Sequence, residues 1–68
     1  MSKYKKLWLY LKDNCMGTET LTFDEIYRIC GATVDFSFKD YESELRNYGI
    51  SIMKVNLNNR TVLFSRNA

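Results

Sequence analysis

Basic and amide side chains in the second half of the chain have the chemistry of a nucleic-acid contact. Lysine and arginine pair with phosphate oxygens, and asparagine amides hydrogen-bond to phosphates or to base edges. The residues concerned fall in a predicted third helix and a predicted C-terminal hairpin: Lys39, Arg46, Lys54, Asn58, Asn59 and Arg60. They predict weak, charge-driven nucleic-acid binding through the hairpin and the end of that helix.

Acidic residues in the same helix oppose this contact. Asp40, Glu42 and Glu44 would repel a duplex, which carries about one charge per 1.7 Å of its axis. The sequence pI of 8.6 also lies below the value of about 9 that is typical of DNA-binding domains. Asp40 and Glu44 share a helix face, but Lys39 and Arg46 lie near them in sequence. We therefore expect these carboxylates to be solvated rather than paired for acid–base catalysis.

Catalytic and metal chemistry has little support in the composition. The chain has no histidine, and its three glycines form neither a Gly-x-Ser-x-Gly motif nor a phosphate-binding loop. Two thiolates, Cys15 and Cys30, do not complete the tetrahedral shell of zinc. We interpret both as small core residues in a reducing cytoplasm. The sequence predicts no enzyme, no catalytic residue, no metal and no cofactor.

Apolar residues outside the predicted core stripes give a second functional hypothesis. They are Leu9, Tyr10, Ile52 and Leu63. A small domain does not expose a contiguous apolar patch without reason. These four predict a protein partner or self-association, which we rank first, with nucleic acid as the alternative.

Length and composition are those of one small globular domain, residues 1–68. The chain is 46% hydrophobic and 15% aromatic, and a disordered chain is poorer in both classes. Its apolar run, Leu7–Leu11, is shorter than the roughly 20 residues of a membrane span and the 7–15 of a signal-peptide core. We expect a soluble, cytoplasmic protein without membrane partners.

Charge is unevenly distributed, although the net charge is only +2. Residues 1–12 and 45–68 each hold four basic residues and no acid, whereas residues 13–44 hold all eight acids. Such bands fit either solvated surface on separate elements or a basic face for an acidic partner. The sequence leaves these two interpretations open.

Helical spacing and capping signals predict three helices. The first carries an apolar stripe, begins near Ser2 and ends at Gly17. The second begins with a capping box, Thr22 to Glu25, flanked by a hydrophobic staple, and ends at Gly31. The third begins at a Ser37 cap, with a hydrophobic staple from Phe36 to Tyr41, and ends at Gly49. The predicted stripes are Tyr4, Leu7, Trp8, Leu11 and Cys15; then Phe23, Ile26, Tyr27 and Cys30; then Phe38, Tyr41, Leu45 and Tyr48.

The C-terminal segment alternates as a β-hairpin. Asn58 and Asn59 fit a two-residue turn with positive φ, which pairs Val55 with Val62 and places Met53 opposite Phe64 on the inner face. Residues 18–21 predict one short edge strand. The order helix, strand, helix, helix, strand, strand predicts an α+β fold, a small winged-helix-like domain with a C-terminal β-hairpin.

Three stretches resemble a bacterial domain family of unknown function. Lys3–Leu11 resembles the family's opening motif, Lys-Tyr-x-x-Leu-Trp-x-Tyr-Leu. Leu21–Ile26, together with Gly31, resembles its second block. Val55–Leu57 and Val62–Arg66 resemble its closing hairpin. The resemblance implies the family's fold. The family carries a longer, basic, tryptophan-containing segment after the second helix, whereas residues 32–44 here are short and acidic. A function located in that segment does not transfer to this chain.

Overall fold

The computed structural model describes residues 2–67, which form an α+β domain with a three-stranded antiparallel sheet. Its elements are α1 (Lys5–Asn14), β1 (Thr18–Thr22), α2 (Phe23–Cys30), a 3₁₀ turn (Phe38–Tyr41), α3 (Glu42–Arg46), β2 (Ile50–Asn56) and β3 (Thr61–Arg66). The strands lie in the order β1–β3–β2. The predicted α+β class with three helices is confirmed.

Helix α1 buries the stripe that its spacing predicts. Tyr4, Leu7, Trp8, Leu11 and Cys15 are all fully buried. The helix ends at Asn14 and not at Gly17, because the backbone becomes extended at Cys15. The Arg66 guanidinium, from the end of β3, donates to the carbonyls of Leu11, Lys12 and Cys15. The Leu11 carbonyl also accepts from the Cys15 N–H at 2.8 Å, and the guanidinium supplies a donor to the Lys12 and Cys15 carbonyls at the helix end, where intrahelical donors run out.

Helix α2 begins with the predicted capping box. Thr22 Oγ1 accepts from the Glu25 N–H at 3.0 Å, and Glu25 Oε1 accepts from the Thr22 N–H at 2.8 Å. The helix ends at Gly31, whose φ of 76° lies in the left-handed region. Ile26 is buried, but Tyr27 is exposed, so its assignment to the buried stripe is wrong.

The third helical segment differs from the single capped helix that was predicted. It is a 3₁₀ turn followed by a short α3, and Ser37 makes no side-chain cap. Instead the Ser37 N–H and hydroxyl donate to Asp35 Oδ1 at 2.9 and 2.6 Å. The predicted staple is also wrong, since Phe36 is fully exposed. The helix α3 ends at Arg46 and not at Gly49, which closes the following turn with a φ of 79°.

A β-bulge alters the predicted hairpin register. Val55 pairs with Val62 as predicted, but the register shifts between Ile52 and Lys54, and Ile52 pairs with Phe64. Met53 is consequently 61% exposed and Ile52 only 8% exposed, the reverse of the prediction. One extra residue in a strand reverses the face of every residue beyond it.

The hairpin turn is longer than predicted. Residues 57–60 form it, and Arg60, not Asn58 or Asn59, has positive φ. The Asn59 N–H instead donates to Asn56 Oδ1 at 3.0 Å. Because β1 pairs with β3 as far as Thr22 opposite Thr61, the turn extends little beyond the sheet.

Candidate functional site

An open apolar groove lies between the start of α2, the loop from α2 to the 3₁₀ turn, and the β2–β3 hairpin. Its volume is about 670 Å³. The residues that line it are Phe23, Val34, Asp35, Phe36, Phe38, Lys39, Val55 and Leu57. We call this surface the apolar groove. It is a surface built from three separate parts of the chain.

Apolar side chains form both the base and the rim of the groove. Phe38 is buried in the core, where its ring meets that of Tyr4 edge-on at 5.1 Å. Val34 and Val55 are half-buried. Phe36 is fully exposed and Leu57 is 74% exposed. Two large apolar side chains exposed in the lining of one groove form the kind of patch that marks a binding surface.

Hydrogen bonds from Lys3, Tyr4 and Ser37 fix the loop that carries Phe36. Asp35 accepts from Ser37 and also from Lys3 Nζ at 2.9 Å, and the Tyr4 hydroxyl donates to the Thr33 carbonyl at 2.8 Å. The hydrogen bond from Lys3, followed by those from Ser37, lowers the pKa of Asp35 to about 2. The ionised carboxylate thus ties the loop to the start of α1. Phe36, between the two ends of the Asp35–Ser37 turn, is left in solvent.

Three cations surround the groove. Lys39 lines it, Lys54 borders a depression shared with Val55 and Leu57, and Arg60 borders another shared with Phe23. The Arg60 guanidinium lies 5.9 Å from the centre of the Phe23 ring, a distance suited to a cation–π contact. Among residues 2–67, none of these three cations forms an ion pair.

The structure brings together most of the residues predicted to contact nucleic acid, but not all. Asn58 lies beside Lys54, and Asn59 lies beside Arg60. Arg46 differs, because it approaches Glu42 at 3.7 Å on α3 and lines none of these depressions. The cations therefore collect around an apolar groove rather than along α3.

Two of the acids predicted to be solvated have structural partners. Glu44 Oε1 accepts from the indole Nε1 of buried Trp8 at 3.0 Å. Glu42 Oε2 accepts from the Ile52 N–H of edge strand β2 at 3.0 Å. Only Asp40 of the three is exposed. The prediction of solvation is wrong for both glutamates, which attach α3 to α1 and to the sheet.

The four residues predicted as a partner patch lie in different surroundings. Leu9 is exposed on α1, whereas Tyr10 is half-buried and its hydroxyl donates to Glu19 Oε2 at 2.8 Å. Ile52 is buried by the bulge described above, so its predicted exposure is wrong. Leu63 is half-buried and pairs with Thr20 and Lys54. Since Val62 and Phe64 face the core, Leu63 lies on the opposite face of the sheet.

The cysteines lie in or against the core, as predicted. Cys15 is buried, Cys30 is half-buried, and both thiols are free. Among residues 2–67, no three or more Cys, Asp or Glu side chains are grouped so that they could hold a metal ion. No helix within that range has the length and apolar character needed to cross a bilayer.

Comparison of the chain with known protein families, with curated proteins and with solved structures found no match.

Proposed function

We propose that this chain is a small, non-enzymatic interaction domain that binds a protein partner through the apolar groove. The observation that carries the proposal is the joint exposure of Phe36 and Leu57 above a base formed by half-buried and buried apolar residues. When a partner removes apolar surface of this kind from water, the binding free energy becomes more favourable by roughly 25 cal/mol per Å². Self-association through the same groove belongs to the same class of function.

The arrangement of elements supports a winged-helix-like interpretation of the fold. The third helical segment precedes a C-terminal hairpin, and the first strand pairs with the last. We also propose that the chain is related to the bacterial domain family that its three stretches resemble. A cytoplasmic location, also proposed, is supported by the two free thiols.

Affinity capture from the source organism tests the proposed function. Leu57→Ser removes a groove residue, and Met16→Ser is its matched control, because both side chains are 74% exposed and only Leu57 lines the groove. We expect the wild-type chain and Met16→Ser to retain a protein that resists nuclease treatment, and Leu57→Ser to lose it. Equal retention by both variants would contradict the proposal.

Nucleic-acid binding is the second candidate, favoured by Lys39, Lys54 and Arg60, which form no ion pair within residues 2–67. Against it, α3 is short and holds Glu42 and Glu44, Asp40 lies in the 3₁₀ turn before it, and the hairpin turn extends little beyond β1. Capture that depends on Lys54 and Arg60 and disappears with nuclease would favour this candidate over a protein partner.

A further inference from the structure

The charge around the apolar groove is positive and largely uncompensated. Lys39 lines it, and Lys54 and Arg60 line neighbouring depressions that share apolar residues with it. None of the three has an ion-pair partner among residues 2–67. Of the acids that line the groove or its neighbouring depressions, Asp35 is paired with Lys3, which leaves Asp24 as the opposing negative charge. A partner that fills the groove therefore meets an excess of positive charge at its rim.

Arg60 has a backbone conformation that side chains rarely adopt. Its φ is 55°, in the left-handed region, although Asn58 and Asn59 occupy the same turn and asparagine tolerates that region better. The strained backbone is held in place, since the Arg60 carbonyl accepts from the Phe23 N–H at 2.9 Å. The strained position thus presents a guanidinium over the Phe23 ring at the edge of the groove. A strained residue at such a place suggests a functional use for its side chain.

We propose that the groove binds a short amphipathic segment of a partner protein, with apolar side chains at its centre and aspartate or glutamate on its flanks. This inference rests on the proposed function and adds the chemistry of the partner. The apolar anchors would lie between Phe36 and Leu57. The flanking carboxylates would meet Lys39, Lys54 and Arg60, and such charge complementarity selects partners and speeds association.

The lining favours a peptide over a single nucleic-acid strand. Bases bind to such proteins by stacking on flat aromatic faces along a basic groove. Of the three phenylalanines that line the groove, Phe38 is buried, Phe23 is half-buried with Arg60 over its ring, and Phe36 is exposed. The rest of the apolar lining, Val34, Val55 and Leu57, is aliphatic surface, which suits the side chains of an amphipathic segment laid into a groove.

Selection from a phage-displayed library of random 12-residue peptides tests the proposal. Peptides are selected on the wild-type domain after depletion on Phe36→Ser, and circular dichroism establishes that the variant is folded. We expect selected peptides to combine aromatic or aliphatic residues with an excess of aspartate and glutamate. Their binding should fall on the order of 5-fold in the double variant Lys39→Gln/Lys54→Gln at about 50 mM salt, and remain unchanged in Lys12→Gln.

The outcomes separate this inference from the proposed function. Groove-dependent peptides that are neutral or basic, or that are insensitive to the double variant, overturn the acidic partner and leave protein binding in place. Failure to obtain any groove-dependent peptide overturns both. A 12-nucleotide oligothymidylate that binds the groove more tightly than the selected peptides would overturn both in favour of nucleic acid.

Discussion

Asp35 lines the groove and holds the loop that carries Phe36. Its carboxylate accepts from the ammonium of Lys3 and from the backbone and hydroxyl of Ser37. These bonds hold the loop that carries Phe36 against the start of α1. They also explain why Ser37 does not cap the following segment, since its hydroxyl is already engaged.

The lowered pKa of Asp35 predicts a change in stability at acidic pH. Because its pKa falls from 3.8 to about 2 on folding, the contribution of its ionised form is present above pH 4 and is lost as pH falls towards 2. We expect the melting temperature of the wild type to drop more between pH 4 and 2 than that of Asp35→Asn. Parallel melting profiles for the two proteins over this range would contradict the assignment.

Thr22 carries a second prediction at this scale. Its side chain and that of Glu25 satisfy two N–H groups at the start of α2. Thr22→Ala should lower the free energy of unfolding by about 1 kcal/mol, measured by urea denaturation. Thr18→Ala, at the exposed start of β1, is the control and should have a much smaller effect. Equal effects would show that the cap contributes nothing.

At the scale of elements, Arg66 joins the end of α1 to the last strand. The guanidinium reaches three carbonyls at the helix C-terminus, where a positive charge also interacts favourably with the helix dipole. We expect Arg66→Met to lower the free energy of unfolding by roughly 2 kcal/mol, because hydrogen bonds to charged groups contribute about 1.5–3 kcal/mol. Urea denaturation measures this loss. Arg28→Met, on the exposed surface of α2, should change stability little, and an equal loss there would refute the role of Arg66.

The sequence predicts elements whose signals lie in neighbouring residues that contact each other. It does not predict elements that depend on contacts between residues distant in sequence. The cap of α2 is local, since Thr22 and Glu25 bond to each other. The bulge at Met53 leaves an alternation that fits both registers, so only packing of Ile52 in the core decides between them. The residues around Phe36 predict a hydrophobic staple, because they do not reveal the hydrogen bond from distant Lys3 to Asp35.

At the scale of the whole molecule, folding treats the acidic and the basic residues of the charge bands differently. Several acids of the middle band bond within the domain, among them Glu42 and Glu44. Lys39, Lys54 and Arg60 come from both the middle and last bands and meet around the groove. This convergence favours the basic face over the interpretation of separate solvated surfaces. The groove is assembled from separate parts of the chain, so the apolar residues outside the predicted core stripes do not identify it.

The same convergence limits how this chain can bind DNA. With three cations available for phosphate, the log–log salt slope for a short duplex should be no steeper than about −2.7. Fluorescence anisotropy at about 50 and 200 mM salt measures it, and Lys54→Gln/Arg60→Gln should flatten the slope by about 2. Tight duplex binding that survives the higher salt would contradict this account.

The central claim, that the apolar groove binds a protein partner, is tested most directly by NMR. Amide ¹H–¹⁵N spectra of the labelled domain are recorded with and without the captured, nuclease-treated partner. We predict shift changes concentrated at Phe23, residues 34–39 and residues 54–60, with Leu9 and Leu63 unaffected. Changes confined to α1 or to the outer face of the sheet, with the groove amides unmoved, would contradict the claim.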